Sequence, residues 1–262
     1  MKYKLLLLDI DNTLTPNLGL PPCTYTPSRN VLISFKKALE KITISFCTGR
    51  DINTVKMICS KLNIKSPQIV EGGSKIIDIH GNILFVKYIS KFSVKEIFTT
   101  LKNINTTFSV LVDGKELVNI LPKSNLDKVT AILLYDLSPM QVDKVKQQLF
   151  LCKDIAFTLN PDRTGNTIYI TNKLGLKSHG VKKLREILNI KKREIIGVGD
   201  SNNDKSLLLE SGLKIAMGNS VPEIKAIANY IAPDVNHHGV VNVIEKYVLS
   251  SNSFGKSVKS KR

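Results

Sequence analysis

The chain has no tryptophan among its 262 residues, and only six of its 38 basic residues are arginine. Proteins that stack on nucleic-acid bases use aromatic side chains interleaved with cations, and no module of that kind is spelled here. The net charge of +16 therefore reads as a lysine-rich solvated surface, one that also attracts anionic substrates. The four cysteines, Cys23, Cys47, Cys59 and Cys152, show neither C-x-x-C spacing nor a histidine partner. That pattern gives no signal for a zinc site or a disulfide framework and leaves buried thiols. Long hydrophobic runs are missing too: the first apolar stretch ends at Asp9, too short for the core and cleavage site of a signal peptide, and nothing approaches the ~20 apolar residues of a membrane span. A cytoplasmic protein with no membrane partner is expected.

What is present is a globular composition, 42% hydrophobic and 23% charged, in a chain near the length at which one core commonly splits into two. Leu5-Leu6-Leu7-Leu8 reads as a strand. In "TYTPSRNVLISFKKALEK" Thr26 serves as N-cap and Pro27 as first helical residue; then come the strand "ITISFCTGR", stopped by Gly49, and the helix "DINTVKMICSKL", which Asp51 can cap. Strand alternating with helix implies a parallel sheet. After residue 72 the rhythm changes to hairpins turning at His80-Gly81-Asn82 and Asp113-Gly114, with helices over 93–103 and 138–150 and strands over 129–135, 155–159 and 167–171. From Lys177 the first rhythm returns: a helix over 177–188, the strand "EIIGVGD", a helix over 202–211, the strand "KIAMG", and helices from Val221 and Gly239. The fold expected is α/β, a Rossmann-like parallel-sheet core (residues 1–85 and 171–249) with a smaller α+β unit (residues 86–170) inserted into it. A basic tail, disordered by its composition, covers residues 250–262 and ends in "GKSVKSKR".

Acids close two of the apolar strands. "LLLLDIDNTLT" puts Asp9 and Asp11 two positions apart after an apolar run, on one face if the strand continues through them. Either one keeps a proton or a cation sits between them, unless the segment is simply an acidic turn. "GVGDSNNDKSLL" repeats the pattern with Asp200, Asn203 and Asp204; a helix starting near Ser201 would let Asp200 and Asp204 approach one cation, and hard oxygen donors favour magnesium. The same residues would also serve as an N-cap and a polar first turn. Thr48-Gly49-Arg50 offers a hydroxyl and backbone N–H groups at a helix start, a perch for phosphate. Lys177 is a point charge suited to phosphate or to crowded carboxylates, on a chain where a lysine is by default a solvated face.

In this order, "DIDNT", "CTGR", "LKSHGVKKL" and "GDSNND" resemble the four motifs of the haloacid-dehalogenase-like phosphohydrolases, and "KIAMGNSVPEIKAIANYIAPDVNHHGV" resembles the tail of their Cof-type branch; archaeal phosphoglycolate phosphatases are similar. The resemblance spans residues 4–84 and 172–248 and implies an inserted cap between the second and third motifs. It implies Asp9 as the nucleophile that becomes an aspartyl-phosphate, Asp11 as the acid and then the base, and Mg2+ held by Asp9, Asp200 and the Asp11 carbonyl with support from Asn203 and Asp204. Thr48, Gly49 and Lys177 would hold the phosphoryl oxygens. Two departures stand out: Asn12 replaces a common glycine, and "EGGS" (residues 71–74) stands where the branch often has Glu-Asn-Gly.

The resemblance implies a Mg2+-dependent phosphatase of a small phosphorylated metabolite, a sugar phosphate or phosphoglycolate. The alternatives are a phosphosugar mutase or sucrose-phosphate-type phosphatase, and, from another class, a basic nucleic-acid-binding protein on an inactive hydrolase scaffold. Retention of all four motifs disfavours nucleic acid. No pocket is spelled in residues 86–170; Arg163 and Lys123 are the cations there that could meet a substrate anion, and each is by default a solvated loop charge.

Overall fold

A computed structural model describes residues 2–19, 24–161 and 165–250; Cys23, Arg163 and the basic segment 255–262 lie outside them. Strand β1 (Leu5–Leu8) is followed by α1 (Arg29–Leu39), β2 (Thr43–Phe46), α2 (Ile52–Leu62), and the short strands β3 (Gln68–Val70), β4 (Lys75–Ile77) and β5 (Ile83–Val86). Helix α3 (Lys91–Lys102), strands β6 (Phe108–Val112), β7 (Lys115–Val118) and β8 (Val129–Leu137), helix α4 (Pro139–Gln148), and strands β9 (Ile155–Pro161) and β10 (Asn166–Asn172) come next. The chain closes with α5 (Lys177–Leu188), β11 (Ile195–Gly199), α6 (Lys205–Leu209), β12 (Leu213–Ala216), α7 (Pro222–Ile227), β13 (Tyr230–Ile231) and α8 (Gly239–Ile244).

The first sheet is parallel, in the order β13-β12-β11-β1-β2. Its centre is β1, with Leu5 opposite Ile195 on one side and Thr43 on the other, and helices cover both faces. All four leucines are therefore buried, which explains a continuous apolar run where a half-exposed strand would alternate. Leu6 and Leu8 pack with Phe35, Val55 and Val243, and Leu5 and Leu7 with Val181, Leu184 and Leu207. Among the described residues no helix is long and apolar enough to cross a membrane.

The second large sheet is antiparallel, in the order β7-β6-β8-β10-β9. Strand alternation sends Val110, Ile132, Ile168 and Ile170 against α3 and α4 to form a separate apolar cluster. The opposite face, with Leu111, Ala131 and Tyr169, turns toward the carboxyl ends of the parallel strands: the Tyr169 hydroxyl donates to the Gly49 carbonyl at 3.0 Å, and the Asn202 amide donates to the Leu159 carbonyl at 3.4 Å.

Both hairpins turn where the sequence places them, and Asp51 caps α2 through the N–H groups of Asn53 and Thr54. The start of α1 differs from the expectation at Thr26 and Pro27. Ser28 is the cap, accepting from the Val31 N–H, because it stands closer to the apolar stripe Val31, Phe35 and Ala38 that the helix buries. The helix expected over 202–211 is broken into a 3-10 turn (Asn202–Asp204) and α6, since Asp204 folds its carboxylate back onto the preceding backbone.

A fully buried ion pair ties the small antiparallel sheet β3-β4-β5 to the larger antiparallel one. Lys75 Nζ donates to Glu71 Oε1 at 3.0 Å with both side chains sealed from solvent, and the other Glu71 oxygen accepts from the Thr130 hydroxyl on β8. Removing one charge strands the other. Lys75→Met is expected to destabilise the protein by about 3–5 kcal/mol, whereas pairing it with Glu71→Gln recovers most of that loss. Urea unfolding of both variants measures this, and an unchanged midpoint for Lys75→Met alone would contradict the assignment.

Candidate active site

Ligands of parallel α/β sheets bind where the strands end. Asp9 follows β1, its N–H still bonded to the Val198 carbonyl at 3.0 Å, and Asp200 follows β11 on the neighbouring strand. Lys177, the first residue of α5, reaches between them: its Nζ donates to Asp9 Oδ1 at 2.9 Å and to Asp204 Oδ1 at 2.6 Å, and its side chain is 2% exposed. Asp204 is fully committed, because its Oδ2 accepts from the N–H groups of Asp200 at 3.0 Å and Ser201 at 3.1 Å. This closeness needs glycine at 199: a Cβ there would lie 2.5 Å from the Asp204 Cβ. Asp200 Oδ1 accepts from the Thr13 hydroxyl at 3.1 Å.

Three buried carboxylates, those of Asp9, Asp200 and Asp204, place one oxygen each within 4.8 Å of one another. One ammonium faces them. Burial, then the charge of Asp204, pushes the Asp9 carboxyl up from 3.8 to about 7 in spite of Lys177. Burial, then Asp204 and Asp9, pushes Asp200 up to about 9. Burial opposes the Lys177 ammonium, but Asp204 and Asp9 outweigh it and hold it charged well above its ordinary range. The excess negative charge and the all-oxygen donor set fit a hard divalent cation such as Mg2+. Asp9 and Asp200 are the members positioned to hold it, since both Asp204 oxygens already have partners.

Asp11 stands apart from this cluster. The strand does not run on through it, and its carboxylate is forked onto Arg50: Nε donates to Oδ2 at 2.7 Å and Nη2 to Oδ1 at 2.5 Å. Arg50 also reaches the Gly19 carbonyl and Asn17. Thr48 is buried at the adjacent strand end, its Oγ1 accepting from the Arg50 N–H at 3.2 Å. Gly49 lies against the ring of Tyr169, which a Cβ there would meet at 3.1 Å. The first-turn N–H groups of α2 are taken by Asp51, which leaves the Thr48 hydroxyl and the Gly49 N–H as the donors on this side that an anion could use. Asn203 accepts from the Ser201 hydroxyl at 2.8 Å and borders a cavity of about 20 Å³ that Lys177, Thr158, Tyr169 and Thr171 also line. Lys123 is exposed on its loop.

Sequence reasoning missed three contributors. Thr13 was within the first motif, but its partner is 187 positions away in the chain. The Thr48-Gly49-Arg50 pattern points to the Arg50 backbone, whereas its guanidinium is what engages Asp11. Tyr169 carried no signal, being one aromatic in an ordinary strand pattern.

The raised carboxyls make a signed prediction. Both keep their protons to higher pH in the folded chain than in the unfolded one, so the folded state binds more protons above the ordinary 3.8 and stability falls as pH rises toward about 9. A cation must displace those protons. Without divalent ions the unfolding temperature is expected to drop between about pH 5 and about pH 8, and added Mg2+ to raise it more at the higher pH. Thermal unfolding with and without Mg2+ checks this; a larger metal effect at the lower pH would contradict the site.

The arrangement has relatives. A family model described as haloacid dehalogenase-like hydrolase matches residues 6–128 and 115–244. The 5-amino-6-(5-phospho-D-ribitylamino)uracil phosphatase of Bacillus subtilis is 25% identical over 249 residues, 94% of this chain and 96% of that protein. Phosphoglycolate phosphatase 2 of Saccharolobus solfataricus is 33% identical over 147 residues, 56% of this chain and 59% of that protein. The solved structure of a haloacid dehalogenase-like hydrolase from B. subtilis superposes with a TM-score of 0.79 at 21% identity, covering 93% of this chain and 99% of that one. With the model matching nearly the whole chain and the acids, the lysine and the parallel sheet in place, this protein belongs to the haloacid dehalogenase-like hydrolases.

Proposed function

We propose that the chain is a Mg2+-dependent phosphatase of a small phosphorylated metabolite, with residues 1–85 and 171–249 forming the catalytic core and residues 86–170 a cap over it. The observation that carries this reading is the buried bridge of Lys177 between Asp9 and Asp204 at 2.9 and 2.6 Å. It aims one oxygen of Asp9 at an ammonium and leaves the other to attack. In the reaction the Asp9 carboxylate forms a bond to phosphorus as the bond from phosphorus to the ester oxygen breaks, and Asp11 gives that oxygen its proton. Water, deprotonated by Asp11, then releases phosphate and regenerates Asp9. Lys177, the Thr48 hydroxyl and the Gly49 N–H hold the equatorial oxygens, over which charge is spread in a loose transition state. Bound Mg2+ would supply charge cancellation between the carboxylates and the phosphoryl group, held by Asp9, Asp200 and the Asp11 carbonyl, with Asn203 and Asp204 supporting them.

The fork of Arg50 on Asp11 adds a condition. Charge-assisted bonds to both oxygens favour a carboxylate over a carboxylic acid, so the pair must loosen before Asp11 donates a proton. Substrate entering between the sheet and the core is the event that would loosen it. The antiparallel sheet lying over the strand ends leaves room for a small leaving group and little for a macromolecule, which fits the relatives named as phosphatases of small compounds.

Asp9→Asn is expected to remove phenyl phosphate hydrolysis by at least about four orders of magnitude with the circular dichroism spectrum unchanged, because the acid serves chemistry and not packing. Chelation should stop the wild-type reaction and Mg2+ restore it. Lys177→Ala should lower kcat on every substrate alike, since the phosphoryl group is common to all. Undiminished turnover by Asp9→Asn would end the proposal.

A further inference from the structure

The face of the antiparallel sheet that looks onto the core has a chemical bias of its own. In a chain of net charge +16, the strand positions on that face carry, among the described residues, neither lysine nor arginine. Beside the apolar Leu111, Ala131 and Leu133 they carry hydroxyls, Asn160 and one carboxylate. On β7, Leu117 packs on the helix side, so alternation turns Glu116 to the core side, beside its register partner Leu111. Ser109 on β6 and Tyr135 on β8 bond through their hydroxyls at 3.0 Å, and Ser109 supports the Glu116 carboxylate. Burial raises the Glu116 carboxyl, while the charges of Asp51, Arg50 and Asp11 all reach it. The turn leading into β7 lies on the same part of the core, since a Cβ at Gly114 would meet the side chain of Ile52, two residues beyond Arg50, at 3.4 Å, which sets Glu116 on the side of the pair that includes the proposed acid, where a leaving group would sit. Farther along the face, Thr158 and Thr171 line the cavity that reaches Lys177; Thr171 is 2% exposed and its Oγ1 has no hydrogen-bond partner.

Arg50 does not reverse this bias, because even when it loosens from Asp11 its single positive charge stands against two carboxyl groups, Asp11 and Glu116, and it is shared with Asn17 and the Gly19 carbonyl. A leaving group ending in a carboxylate would meet Glu116 and Asp11 with no cation among the described residues of this sheet face to answer it, whereas a polyhydroxylated one would find the Ser109 and Tyr135 hydroxyls and the Glu116 carboxylate. A site that offers buried hydrogen-bonding groups strongly discriminates against a ligand that leaves them unpaired.

We propose that Ser109, Glu116 and Tyr135 are the specificity-determining residues and that they select a phosphate ester of a polyol or sugar lacking a carboxylate, against phosphoglycolate. This rests on the phosphatase reading above and narrows its substrate class. Thr171 extends the same recognition toward the phosphoryl end.

The test compares kcat/KM of the Mg2+-loaded protein for ribitol phosphate, phosphoglycolate and phenyl phosphate. Wild type is expected to favour ribitol phosphate over phosphoglycolate by about tenfold or more, the scale of a like-charge juxtaposition. Glu116→Gln should shift the ratio of the two toward phosphoglycolate by about tenfold by removing the repelling charge while keeping an amide able to bond. Tyr135→Phe should shift the ratio the same way through a loss on ribitol phosphate alone, carried by KM. Preference of the wild type for phosphoglycolate, or a ratio that Glu116→Gln leaves unmoved, overturns the specificity proposal with the phosphatase reading intact. Absence of turnover on all three, phenyl phosphate included, overturns both.

Discussion

Everything at the ends of the parallel strands depends on one buried ammonium. Lys177 is bonded to Asp9 and Asp204, and those carboxylates come from β1 and from the turn after β11, elements nearly 200 residues apart in the chain. Without it, three acids within 4.8 Å of one another could persist only by protonation. With it, the remaining negative charge is of the size a divalent cation balances. The fold is organised to hold this balance: β1 lies between β11 and β2, Gly199 lets the Asp204 side chain approach, and Asp204 in turn fastens the backbone of Asp200 and Ser201. Asp204 is thus best understood as the residue that positions Lys177 and the β11 turn, while Asp9 and Asp200 keep oxygens available.

Much of this was legible because strand ends in a parallel sheet converge. Four apolar residues ending in an acid, twice, mark two such ends, and the alternation of strand and helix says they are parallel. Once that is known, Asp9 and Asp200 lie at the same end of the sheet with Lys177 at a helix start on that side, and the pairing of β1 with β11 makes them neighbours. The hairpins were equally readable, since His80-Gly81-Asn82 and Asp113-Gly114 leave a chain few ways to turn. Partnerships between side chains were not readable. Nothing local says that Arg50 bonds Asp11 and not solvent, that Glu71 and Lys75 are sealed beneath Thr130, or that Ser28 outcompetes Thr26 as a cap. These outcomes depend on packing between distant elements, which periodicity does not encode. "EGGS", a departure from the family pattern, is physically the place where a buried ion pair ties the β3–β4 connection to β8.

The two halves of the molecule divide the chemistry by charge. The core concentrates acids around Lys177 and has a use for a cation and a phosphoryl group. The sheet above it contributes hydroxyls, an aromatic ring and Glu116, which suit a neutral polar body and not a second anion. Arg50 lies between them, bonded to Asp11 from the core and within electrostatic range of Glu116 from the sheet. Entry of a leaving group into that gap would alter the bonds of Arg50 and the environment of Asp11 together, which links substrate recognition to proton transfer without any part of the site moving far.

The central claim is that Asp9 takes the phosphoryl group covalently. Rapid quenching during turnover, followed by borohydride reduction, converts an acyl phosphate on an aspartate side chain to homoserine, and peptide mass spectrometry locates it. Homoserine at position 9, forming on the timescale of the first turnover, is the result expected. Product release in stoichiometric amounts with residue 9 recovered throughout as unmodified aspartate, or reduction at a different residue, would contradict it.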